Sequence, residues 1–143
     1  MASRDIVSGG SGTDHVSGGS GNDIILWGAD DVLIDGGRGT DRLAALSQDI
    51  DLRSVSNDLI RDIEVIDLSY SGIGQVTADK LKLGKTDILD ISSSTDTLKV
   101  LGEAGDSVNS VGNFRDLGVS GHYHRYKLGA AMLLVDTDIT DVR

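Results

Sequence analysis

The apolar residues of the chain follow two rhythms. Through residue 52 one aliphatic residue recurs at every ninth position: Val7, Val16, Ile25, Ile34, Leu43 and Leu52. Each sits in a short strand-forming stretch such as Ile24-Ile25-Leu26 or Arg42-Leu43-Ala44, with polar, glycine-rich sequence between. So short a period, with one inward side chain per unit, predicts a coil of brief strands and tight turns. After Leu52 the glycine turns stop but strand composition continues. Leu59–Leu68 reads as a strand with a phase change consistent with a bulge. Further strands are expected at Asp87–Ile91, Thr97–Leu101, Ser107–Val111, His122–Leu128, Met132–Val135 and Asp138–Val142. One helical turn is expected over Thr77–Leu83, where Thr77 caps and Ala78, Lys80, Leu81 and Lys82 tolerate helix. No helix of ten residues is predicted. The chain reads as all-β, with a repeat part over 4–53 and a β-rich part over 54–143 continuous with it.

The polar residues of the first part repeat as strictly as the aliphatics. Gly9-Gly10-Ser11-Gly12-Thr13-Asp14 is followed by Gly18-Gly19-Ser20-Gly21-Asn22-Asp23 and, one slot later, by Gly36-Gly37-Arg38-Gly39-Thr40-Asp41. The slot between, Trp27 to Asp35, keeps the frame but has Trp27 for the first glycine and Val32 for the aspartate. Three glycines in four residues open backbone conformations closed to other residues, so the chain can turn tightly and aim carbonyls inward. Composition sharpens this picture. Of 23 acids 21 are Asp, which favours turns over helix surfaces, and the formal net charge is −10. Such a balance argues against nucleic acid as a partner. Cys and Pro are absent, which excludes a disulfide scaffold, a Cys-based zinc site and a thiol nucleophile. No apolar run is long enough to span a membrane. Nucleotide-loop patterns are missing. Hard oxygen donors without imidazole or sulfur select Ca2+ over transition metals.

The three clean copies fit G-G-x-G-x-D-x-U-x at every fixed position and resemble the calcium-binding nonapeptide of RTX (repeats-in-toxin) proteins. The resemblance implies a parallel β-roll in which successive turns lie on opposite edges, so that loops on one edge are 18 residues apart. It implies Ca2+ between same-edge loops, held by Asp carboxylates and turn carbonyls. Asp23 and Asp41 with their loops, Gly18, Ser20 and Gly21 and Gly36, Arg38 and Gly39, form the best expected site. Asp5 stands in the same register, and its own turn would begin before Met1; the chain reads as cut from a longer array. On the other edge Gly9, Ser11, Gly12 and Asp14 face the degenerate slot, where Asp30 or Asp31 substitutes for the missing aspartate or the site is weak.

The second part also has a resemblance. Ile63–Leu68, Thr97–Val108 and Met132–Asp136 are similar to a module of very large bacterial RTX adhesins that lies beside the nonapeptides near the C-terminal end. The aromatic-bearing Asp-Phe segment that follows the repeats in secreted RTX proteases and lipases is not matched; only Ile66-Asp67-Leu68 echoes it. The open end of a roll exposes strand edges, so a stacked sandwich- or solenoid-like β module would cap it; a binding face is the alternative.

The remaining candidates are weaker. His122-Tyr123-His124 offers two imidazoles for Zn2+ or Ni2+, or a solvated strand face. His15 is expected outside and Trp27 in packing. Glu103 with Asp106, and Asp136 with Asp138 and Asp141, are candidates for further Ca2+. Tyr123 and Tyr126, near Arg125 and Lys127, form either a ligand face or a strand edge. No catalytic constellation stands out. The expected function is therefore a calcium-folded, non-enzymatic and monomeric module of a secreted or surface-exposed bacterial RTX adhesin, exported by the type I machinery. A peptide- or glycan-binding module and the C-terminal part of a secreted hydrolase are the alternatives.

Overall fold

In a computed structural model, residues 3–28, 30–45, 48–54, 59–69, 78–92 and 95–143 are described. The first two turns are a flat, two-walled roll. Strands β1 (Ile6–Val7), β3 (Ile24–Leu26) and β5 (Arg42–Ala44) stack in parallel on one wall, and β2 (His15–Ser17) pairs with β4 (Leu33–Asp35) on the other. Ile6 faces Ile24, Ile24 faces Arg42 and His15 faces Leu33, so each full turn takes two nonapeptides. The position-eight aliphatics point inward: Val16, Ile25, Ile34, Leu43 and Leu52 are buried, and Val7, in the first strand, is partly so. A fully buried aliphatic of this kind contributes about 1.5–3 kcal/mol of transfer free energy. His15, between inward residues, is exposed, and Trp27 packs into the core.

After β5 the coil gains a third wall. β6 (Ile50–Asp51) starts a new sheet, β7 (Ile60–Arg61) rejoins β4, and β8 (Val65–Asp67) returns to β5. The next turns run through β9 (Lys80–Gly84), a helix α1 (Lys85–Ile91), β10 (Thr97–Leu101) and β11 (Ser107–Val111). An antiparallel excursion follows, β12 (Arg115–Ser120) and β13 (Tyr123–Leu128), before β14 (Ala131–Asp136) and β15 (Asp141–Val142) rejoin the coil. The finished walls read β1-β3-β5-β8-β10-β14-β13-β12, β2-β4-β7 and β15-β11-β9-β6. One hydrophobic cluster runs from Val16 to Ile139 without a break between the repeats and the later turns.

Four expectations need correction. Leu59–Leu68 is a corner between two walls: β7 and β8 belong to different sheets, and Asp62 between them takes a left-handed backbone, φ 53°. Aspartate is among the few residues that tolerate this conformation. The helix lies one element later than predicted. Of the segment read as helical, Thr77 is outside the described residues, and Leu81 and Leu83 alternate with exposed or half-buried lysines as a strand. Asp87–Ile91, read as a strand, is helical because Ile88 and Ile91, three apart, both turn inward. Asp87 Oδ2 accepts the Gly84 N–H at 2.6 Å and closes the first turn. Its carboxyl is held above the usual carboxylate range, chiefly by burial. Finally, β12 lies between the expected strands Ser107–Val111 and His122–Leu128, where none was expected; it is exposed or half-buried throughout and lacks the apolar alternation that would reveal it.

A ladder of aspartates with unpartnered oxygens

The loops of one edge stack directly on each other. The Arg38 N–H donates to the Gly19 carbonyl, and the Gly21 N–H to the Arg38 carbonyl, both at 2.8 Å. Glycine is needed at these approaches: a Cβ on Gly37 would overlap the Gly19 carbonyl, and one on Gly39 the Gly21 carbonyl. Both residues have positive φ, 92° and 138°.

The last residue of each loop, just before its strand, carries the acid. Asp23 Oδ1 accepts the Asp5 N–H, Asp41 Oδ1 accepts the Asp23 N–H, and Glu64 Oε2 accepts the Asp41 N–H, each at 2.8 Å. Every carboxylate thus reaches back across the gap to the preceding loop. On the opposite edge the Asp14 N–H bonds the Asp31 carboxylate. The structure therefore puts Asp31, not Asp30, opposite Asp14; Asp31 is buried and Asp30 exposed.

These acids have oxygens to spare. Among the described residues, the buried carboxylate oxygens without a hydrogen-bond partner are Asp14 Oδ2, Asp23 Oδ2, Asp31 Oδ1, Asp35 Oδ1 and Asp41 Oδ2, all in the repeat region. Asp23 is 1% exposed and Asp41 fully buried. Leaving such an oxygen bare costs about 1–3 kcal/mol or more. Burial pushes the Asp41 and Asp31 carboxyls up; for Asp41 the negative charges of Asp23, Asp62 and Asp35 add to it, and for Asp31 those of Asp14 and Asp30. A bound cation would remove both penalties.

The spare oxygens line small cradles. The point a Cβ on Gly18 would occupy lies 2.6 Å from the Gly36 carbonyl oxygen and 2.9 Å from Asp23 Oδ2. Corresponding points on Gly9 and Gly28 lie 3.0 Å from Asp14 Oδ2 and 3.2 Å from Asp31 Oδ1. Carbonyl and carboxylate oxygens converging where no side chain fits suit a hard cation such as Ca2+. Among the described residues no three acid or imidazole side chains cluster into a cage, so backbone carbonyls would have to complete any site.

The comparisons fit this geometry. The model of the RTX calcium-binding nonapeptide repeat matches residues 1–26 and 28–49, in four copies. This part of the chain is an RTX repeat array. The RTX repeat family binds Ca2+ and its repeat is a non-catalytic unit, so the chain carries a calcium-binding module of an RTX protein. RTX repeat proteins are typically secreted. No match was found among curated proteins or among solved structures.

The weaker candidates are already engaged. Asp106 accepts the Asp79 N–H on Oδ1 (2.9 Å) and the Glu103 N–H on Oδ2 (2.8 Å), so both oxygens are used. Asp136 accepts the Asp138 N–H in its own turn, and Asp141 pairs with Arg143. His124 Nε2 lies 2.7 Å from Asp116 Oδ1 and its ring stacks on Tyr126, while His122 is exposed in the turn before β13. Lys99 Nζ sits 4.8 Å from the centre of the Tyr123 ring. Two acids of the repeat end escaped the sequence reading. Asp35, which pairs through Oδ2 with Arg61 at 2.7 Å, fills the ninth slot position where Ser17, Leu26 and Ala44 stand elsewhere; that charged outlier was its only signal. Glu64 lies 23 residues after Asp41, outside the nine-residue frame.

Proposed function

We propose that this chain is a calcium-folded, non-enzymatic RTX module of a secreted bacterial protein, most specifically a cell-surface or biofilm adhesin near its type I secretion end. The observation that carries the calcium part is the set of unpartnered buried aspartate oxygens beside carbonyl-lined cradles. Asp23 and Asp41, with the turns Gly18–Gly21 and Gly36–Gly39, would hold the best-formed site; Asp14 and Asp31, with Gly9–Gly12, would hold the other edge. Without metal the aspartates repel and their spare oxygens stay bare. With Ca2+ the stacked turns lock, so that binding free energy becomes folding free energy. Extracellular modules of this kind work at roughly 10⁻⁴–10⁻³ M Ca2+, so the fold would form on leaving the cell. Residues 54–143 would cap the roll and template it, a role supported by the unbroken core. The adhesin assignment rests on the similarity of Ile63–Leu68, Thr97–Val108 and Met132–Asp136 to the adhesin module.

Far-UV circular dichroism and thermal melts in EDTA, Ca2+ and Mg2+ test the calcium reading. The expected result is a Ca2+-selective gain of β signal and melting temperature, reduced in Asp23→Ala and Asp41→Ala. Identical spectra and melts in EDTA and millimolar Ca2+, with no heat of binding, would sink it. The domains encoded ahead of this module in its parent reading frame test the adhesin reading: a catalytic domain there would replace it with the hydrolase one.

A further inference from the structure

We infer a further divalent-cation site at the end of the repeat array, between the loop Gly36–Asp41 and the short turn Asp62–Glu64, with the Asp41 carboxylate, the Asp62 carbonyl and the Glu64 carboxylate as its oxygens. It rests on the calcium-binding reading of the repeats and extends it to a turn that carries no repeat motif.

The short turn repeats three contacts of a repeat loop: a backbone hydrogen bond, a carbonyl approach and a carboxylate that accepts the N–H of the preceding acid. The Gly18 N–H donates to the Asp35 carbonyl, and one turn on the Gly36 N–H donates to the Arg61 carbonyl. Asp62 therefore follows Arg61 as Gly36 follows Asp35. The cradle on Gly18 is bounded by the Gly36 carbonyl and Asp23 Oδ2; the cradle on Gly36 is bounded by the Asp62 carbonyl and, at 2.9 Å, by Asp41 Oδ2. That Asp41 oxygen is buried, without a partner, on a side chain with no exposure, and it points into this gap. The left-handed backbone of Asp62 stands in the place of a glycine turn and sets its carbonyl against Gly36. Glu64 then takes the place of the next aspartate: its Oε2 accepts the Asp41 N–H at 2.8 Å, the distance at which Asp41 accepts the Asp23 N–H. Gly36 to Asp41 spans six residues and Asp62 to Glu64 only three. The extra methylene of glutamate covers the reach that the missing residues would have given. The Arg61 guanidinium is committed to Asp35 Oδ2, at 2.7 Å. All three proposed donors are hard oxygens, which suits Ca2+.

Native mass spectrometry of the whole chain in Ca2+, with calorimetry, tests the site. Glu64→Gln should bind one ion fewer than wild type and keep the rest. Asp41→Asn should lose two, because its carboxylate flanks both neighbouring gaps. Wild type that binds no Ca2+ would sink the calcium reading itself. Wild type that binds Ca2+ while Glu64→Gln keeps the same count and affinities, or Asp41→Asn loses only one ion, would overturn this site and leave the repeats untouched. If Glu64→Gln does not fold, wild-type amide resonances decide: those of Asp62, Ile63 and Glu64 should shift over the same Ca2+ range as that of Asp41, and no shift would overturn the inference.

Discussion

Asp41 and Asp106 occupy the same place in the architecture and solve the same problem differently. Each is a buried acid just before a strand, and each accepts a backbone N–H from a neighbouring turn, at 2.8 and 2.9 Å. The second oxygen of Asp106 takes the Glu103 N–H from its own turn, whereas the second oxygen of Asp41 has no partner. Around Asp106 the chain closes its own corner. Around Asp41 the glycines that let loops stack so closely leave no donor near enough, and the corner stays open. Metal dependence should therefore divide along the molecule. Chelation of Ca2+ should have the largest effect of any treatment: amide protection should collapse in β1–β5 and survive in β9, β11 and β14. Hydrogen exchange with mass readout measures this directly. Uniform loss across the chain would mean that the later turns depend on the repeats, the reverse of the proposed templating.

A pair of isosteric substitutions sharpens the contrast at single atoms. Asp106→Asn turns one acceptor into an NH2 group facing a backbone N–H, and leaves a donor in a buried corner unsatisfied. The cost should be about 1–3 kcal/mol, equal in EDTA and in Ca2+. Asp41→Asn keeps an acceptor for the Asp23 N–H and replaces the bare oxygen, removing a charge held among Asp23, Asp62 and Asp35. It should stabilise the protein in EDTA, by about 1 kcal/mol, and destabilise it in Ca2+. Denaturant melts of both variants in both conditions give the four numbers; a change of the same sign for Asp41→Asn in EDTA and Ca2+ would remove the distinction.

What could be read beforehand follows the same division. The nine-residue period writes each inward aliphatic, each loop and the 18-residue register into adjacent sequence, so the roll was legible from Val7 to Leu43; Leu52, 18 residues after Ile34, leaves that register, because Ile34 pairs with Ile60 and β6 joins another wall. Even the substitute acid was narrowed to Asp30 or Asp31. Past Leu52 the turns lengthen unequally: Arg42 pairs with Val65, Val65 with Lys99 and Thr97 with Met132. No fixed spacing announces partners so far apart, and the third wall was invisible. The helix was misplaced because Lys80–Gly84 and Lys85–Ile91 each hold two or three apolar residues, and only the inward facing of Ile88 and Ile91 separates a period of three from one of two. The turn Asp62–Glu64 was hidden because its resemblance to a repeat loop lies in carbonyl positions that residue types do not display.

The exposed acid of the β12–β13 hairpin is the smallest effect and the control for the others. Asp116 Oδ1 accepts the Gly118 N–H and lies against His124 Nε2, both at 2.7 Å. Its carboxyl is held below the usual carboxylate range, first by the Gly118 N–H and then by His124. A depressed folded pKa means that the folded hairpin favours the ionised acid more than the unfolded chain does. This support is present above the unfolded value and is lost as pH falls through the folded one. With the Asp116 side chain 58% exposed, solvent screening keeps the contribution small. The Gly118 amide resonance, followed from neutral to acid pH, should titrate with a midpoint below the ordinary carboxylate range and lose that step in Asp116→Asn. The hairpin holds its acid with its own donors, as Asp106 is held, so the midpoint should be the same in EDTA and in Ca2+. A midpoint that moves with Ca2+ would show that the far end of the coil responds to the repeats, and the division between open and closed corners would then fail as an account of where calcium acts.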